Sequence, residues 1–120
     1  MTRGIRGAVT VAENTREAIF EATSHLLREI IGRNEIDPSD IASMFLTTTP
    51  DLNADFPAYA VRGNGLGQVP VLCASEINVP GAMKQLVRIL VHVNTNRAQS
   101  EIKHVYLGEA ARLRPDLTGE

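Results

Sequence analysis

The spacing of hydrophobic and polar positions changes several times along the 120-residue chain, and each change marks an element. The most informative stretch is residues 69–93, VPVLCASEINVPGAMKQLVRILVHV. Within it, residues 86–93 alternate, with Val87, Ile89, Val91 and Val93 on one side of a strand and Leu86, Arg88, Leu90 and His92 on the other. β-Branched residues at every second position favour strand over helix here. A strand commits the Arg88 guanidinium to one face, between two leucines, where it is costly to bury unless an anion meets it.

The other elements follow from the same pattern. Residues 3–11 read as a strand with Ile5, Gly7, Val9 and Val11 on one side and Arg6, Ala8 and Thr10 on the other. Arg6 thus lies among small residues, either as a solvated edge arginine or with room for a ligand against the backbone. Residues 14–34 form the one long helix, in which Asn14 is placed to cap, Glu17 completes a capping box and Gly32 offers a stop. Its apolar stripe is Ala18, Ile19, Ala22, Leu26, Leu27, Ile30 and Ile31, and His25 borders it. Residues 37–40 make a turn, residues 41–49 a strand, and residues 57–62 a short helix. Phe56, Tyr59 and Arg62 are an aromatic–cation cluster that, read locally, is a small satellite core under a loop. Residues 69–73 and 103–107 are further strands, the last setting Tyr106 opposite Val105 and Leu107. The glycines at 63, 65 and 67 match neither a P-loop nor a dinucleotide fingerprint. These elements predict an α/β (α+β) chain, a mixed sheet packed by one long helix and short helices, in one domain over residues 1–120.

Composition narrows the function. A formal charge of −2 argues against nucleic acid or an anionic membrane as the main partner. No apolar run is long enough to span a bilayer, and the first residues lack a secretory core. The single cysteine, Cys73, cannot form an internal disulfide, which points to a reducing cytoplasm. Ten arginines against two lysines reflect either base composition or a use for rigid bidentate carboxylate forks. Three scattered histidines and one cysteine do not supply a metal site, and no Ser–His–Asp signature is present. The remaining inventory is arginines, Glu76, and neutral groups such as Cys73 and Tyr106. It suits binding and polarising a small anion better than attacking it.

Several segments then agree on one resemblance: RGIRGAVTV at the N-terminus, TPDLNADFPAYAVR at 49–62, VPVLCASE at 69–76, Arg88, and the HVYL and LRPDL segments. Together they resemble the monofunctional bacterial chorismate mutases of the trimeric barrel type, over almost the whole chain. The resemblance implies three subunits forming a pseudo α/β barrel, with each pocket shared between neighbours. The implied reaction is the [3,3] rearrangement of chorismate to prephenate, without cofactor or metal. Arg88 matches the arginine on the breaking ether oxygen, Arg6 the one binding the enolpyruvyl carboxylate, and Glu76 the acceptor of the ring hydroxyl. Cys73 matches a thiol near that hydroxyl, Tyr106 a donor to the side-chain carboxylate, and Phe56 a pocket wall. Arg62 and Arg114 match outer arginines; Leu113 and Tyr59 fall among the substrate-binding positions. Two positions depart from the family pattern, Tyr59 where a lysine is expected and Leu72 where a threonine is. Rival readings are a trimeric imine deaminase and a non-catalytic carboxylate sensor on the same scaffold.

Overall fold

The computed structural model describes residues 1–113. The five strands are β1 (Thr2–Thr10), β2 (Ile41–Thr48), β3 (Val71–Ser75), β4 (Leu86–Asn94) and β5 (Val105–Leu107), and the helices are α1 (Arg16–Arg33) and α2 (Ala58–Gly63). Short 3-10 turns occupy Pro38–Asp40, Gln99–Glu101 and Gly108–Arg112. The strands form one mixed sheet in the order β3-β2-β4-β1-β5. Strand β4 runs antiparallel to both β1 and β2, while β3 and β5 add in parallel at the two edges. The predicted α+β class, with one long helix, is the observed one.

The alternation in the sequence decides which face is covered. Ile5, Val9, Met44, Leu46, Val87, Ile89, Val91, Val93 and Val105 are buried against Ile19, Leu26, Leu27 and Ile30 of α1. Gly7 lets the helix come close, because a β-carbon there would stand 2.8 Å from Ile30 Cδ1 and 3.1 Å from Leu26 Cδ1. Among the described residues the opposite face of the sheet carries no α-helix; only the 3-10 turn Gly108–Arg112 packs on one end of it, through Ala110. Phe45 and Leu72 stand exposed on that face.

The boundaries differ from expectation for local reasons. Thr15, not Asn14, caps α1, its hydroxyl accepting from the Ala18 N–H. Asn14 instead braces the loop before α2, accepting from the N–H groups of Asn53 and Ala54. Gly32 lies inside the helix, which ends one residue later at Arg33 with Asn34 as its C-cap. Strand β3 starts at Val71, two residues late, because Pro70 offers the ladder no N–H. The polar stretch at residues 94–101 includes a 3-10 turn, and another follows β5 at Gly108–Arg112. His25 is exposed, outside the apolar stripe.

One buried polar residue ties the helix to the far edge of the sheet. The Asn34 side chain donates to the carbonyls of Ile30 and Lys103, both at 2.9 Å, and accepts from the Lys103 N–H at 2.8 Å. Asn34→Ala would leave the Lys103 N–H and two carbonyls without these partners. We expect a loss of about 2–4 kcal/mol of stability by urea titration. A midpoint unchanged from the parent would show that water satisfies those groups equally well.

Candidate active site

The strand pairings bring the predicted residues into one transverse row. Thr47 on β2 lies opposite Arg88 on β4, Arg88 opposite Ala8 on β1, and Ala8 opposite Tyr106 on β5. Paired residues share a face, and this is the face opposite α1. Arg6, paired with Leu90, is the diagonal neighbour of Arg88 on the same face. Two guanidinium groups so placed repel one another unless an anion lies between them.

Glu76 supplies part of that charge. It follows the end of β3, tied by its N–H to the Thr48 carbonyl at 2.8 Å. Its Oε2 accepts a hydrogen bond from the Thr47 hydroxyl and lies 3.8 Å from Arg88 Nε. That separation is an ion pair but too long for a hydrogen bond. Arg88 Nε is shut off from solvent with no acceptor among the described residues, although 43% of the arginine side chain is exposed. A buried donor without a partner is rare in folded proteins, and here it marks a cation with bonding capacity left over. The row ends in a second small cluster, in which Ala8, Leu86, Tyr106 and Ala110 are buried and Met83, Ala111 and Leu113 pack against them. Tyr106 and Leu113 are therefore fixed by packing beside the arginines.

The remaining predicted residues are not brought to this face. Cys73 pairs with Leu46, so its thiol lies on the helix side of β3, exposed in a cleft of about 430 Å³. Thr48, Ser75, Phe56 and Pro57 also line that cleft. Phe56 and Tyr59 meet edge-on with ring centres 6.1 Å apart, and Arg62 stacks over the Tyr59 ring at 5.3 Å. They do not form a satellite core: Phe56 is 63% exposed and Tyr59 41%. Asp55 holds the approach to α2, paired with Arg16 at 2.9 Å while accepting from the Phe56 N–H. Leu72, where a threonine was expected, points with Phe45 onto the open face. Arg114 lies outside the described residues.

One chain therefore holds the predicted residues in two separate groups, which we call half-sites for the pocket the resemblance implies. One is cationic, with Arg6, Arg88, Glu76, Tyr106 and Leu113. The other is aromatic, with Phe56, Tyr59, Arg62 and Cys73. Sequence reasoning missed Thr47, because a threonine in the run TTT reads as a polar strand end; only the β2–β4 register shows that it faces Arg88.

A half-covered mixed sheet whose bare face gathers arginines, a carboxylate and a tyrosine defines an α+β protein suited to a small carboxylate-bearing ligand. Comparison with known proteins makes the class specific. Residues 2–117 match the family model for chorismate mutase type I. Chorismate mutase AroH of Bacillus subtilis (strain 168) is 47% identical over 119 residues, covering 98% of this chain and 94% of that protein. Its namesake in Thermus thermophilus is 48% identical over 118 residues, covering 98% and 97%. A solved chorismate mutase from Clostridium thermocellum superimposes with a TM-score of 0.89 at 42% identity, covering 91% of this chain and 97% of that one. The chain belongs to the chorismate mutase type I family.

Proposed function

We propose that the protein is an isomerase, a chorismate mutase that converts chorismate to prephenate in aromatic amino acid biosynthesis. Family membership supports the activity, and the row Thr47–Arg88–Ala8–Tyr106 with Glu76 at its end is the observation that supports the site. The reaction breaks one ether C–O bond and forms one C–C bond within a single molecule, so no proton or electron leaves the substrate. What the protein contributes is conformer selection and electrostatics. Arg6, Arg88 and Tyr106 read the two carboxylates and hold the chain folded over the ring. Orientation of this kind contributes up to about 7–11 kcal/mol in favourable cases. As the ether bond opens, its oxygen gains negative charge, which the spare donors of Arg88 meet more strongly than they meet the ground state. Glu76 accepts from the ring hydroxyl.

In this reading Phe56, Cys73, Tyr59 and Arg62 reach the substrate from a neighbouring copy, in a homotrimer whose sheets face inward and complete a pseudo α/β barrel. The exposed Phe45 and Leu72 on the bare face and the division of the site into two half-sites support that arrangement. Arg114 and Leu113 would close the mouth. Residues 1–120 are read as one such domain. Among the described residues no helix is long and apolar enough to cross a membrane, and the free thiol of Cys73 supports a cytoplasmic location. Incubation of the purified protein with chorismate should give ultraviolet loss of the substrate matched by prephenate. Binding of chorismate without turnover would overturn the reading.

A further inference from the structure

Thr47 touches both charges of the cationic group, bonding Glu76 through its hydroxyl and pairing across the ladder with Arg88. Glu76 and Arg88 are close enough to close into a direct, hydrogen-bonded pair: a small rotation of the carboxylate would shorten 3.8 Å to contact. In that closed state the guanidinium donors would be spent on Glu76 rather than on the substrate. Likewise the Glu76 oxygens would be spent on Arg88. What opposes the closure is the bond from Thr47 Oγ1 to Glu76 Oε2, reinforced by the backbone tie of Glu76 N–H to Thr48. Thr47 belongs to β2 and is paired across the ladder with Arg88 itself, so the hydroxyl and the arginine are fixed to one rigid element. The bond occupies one carboxylate oxygen and leaves Oε1 for the substrate.

We infer that Thr47 is a positioning residue for the rearrangement, acting through Glu76: its hydroxyl holds the carboxylate off Arg88 and keeps both charges open to the substrate. This inference rests on the assignment of Arg88 and Glu76 to the reaction. It predicts more than a loss of packing, because the effect of Thr47 must disappear once Glu76 has no charge with which to close on the arginine.

The test is a set of variants assayed for chorismate turnover, with thermal unfolding measured on each. Thr47→Val keeps the size and β-branch of the side chain and removes the hydroxyl. It is expected to lower kcat/KM by about ten- to a hundredfold, the scale of a hydrogen bond to a charged group, with a fall in kcat and not only a rise in KM. Thr47→Ser restores the hydroxyl and should recover most of the loss. In a Glu76→Gln background, adding Thr47→Val should change turnover by less than about threefold, the signature of two residues acting as one unit. Native turnover in Thr47→Val beside an impaired Glu76→Gln overturns the inference alone. So does a Thr47→Val loss of the same size in both backgrounds, which would make Thr47 merely structural. Native turnover in Glu76→Gln overturns the assignment of Glu76 itself, and the role of Thr47 with it.

Discussion

Replacing Arg88 by lysine is expected to lower turnover by about 10²–10³-fold while the sheet stays folded. The side chain is nearly half exposed, and its only ion-pair partner among the described residues is Glu76 at 3.8 Å. Such a pair adds little to stability. Lysine retains the charge and most of the stem. It loses the planar fork. One point charge cannot serve a carboxylate and an ether oxygen at once, which is what the spare donors of Arg88 are suited to do. Arginine→alanine would be less informative, since it also strips the stem from the strand. The measurement is the ultraviolet loss of chorismate, with circular dichroism to certify the fold. A lysine variant with near-native turnover would remove Arg88 from the reaction.

The second large effect is expected from a residue that touches no substrate. Phe45 lies on the bare face of β2, 45% exposed and edge-on to His92 with ring centres 5.9 Å apart. Its cross-strand partner is Leu90, and Leu72 lies beyond it on β3. If three copies meet through this face, Phe45→Glu places a carboxylate in each contact, at several kcal/mol per buried charge. The isolated chain pays no such penalty, because water already reaches the site. The expected product is a folded monomer by light scattering, with turnover lost although Arg6, Glu76 and Arg88 are intact. An assembled Phe45→Glu variant, or an active monomer, would place the shared pocket elsewhere.

Much of this organisation was legible in the sequence because strand alternation is a strong signal. The pattern of residues 86–93 fixed the face of Arg88, and that of residues 3–11 placed Arg6 opposite the core, both as observed. The apolar stripe of α1 was read correctly, yet the buried Thr23 and Ser24 were missed, since neither looks apolar. The helix start was misassigned because Asn14 and Thr15 are both good caps. The choice falls to Thr15 once Asn14 is engaged by Asn53 and Ala54, nearly forty residues away in sequence. Cys73 and Glu76 show the deeper difficulty. The resemblance sets both to work on one hydroxyl, but three residues apart on and just beyond a strand they fall on opposite faces. Pattern tells which side a residue takes; it does not tell which strands lie adjacent, and the role of Thr47 depends on that.

Just before β4 the chain makes an unusual commitment. Gln85 adopts a left-handed backbone with φ of 54°. Its N–H donates to Asp51 Oδ2 at 2.8 Å, its carbonyl accepts from the Val11 N–H at 2.8 Å, and its side chain donates to the Ala12 carbonyl. The next residue, Leu86, exchanges hydrogen bonds with Thr49. Such a residue is strained unless its surroundings hold it, and here two other segments do, residues 11–12 and 49–51. The start of β4 is thereby indexed to the body of the protein, not to the loop that precedes it. Insertions and deletions between Ile77 and Lys84 would be absorbed upstream of this anchor, leaving the register of Arg88 untouched.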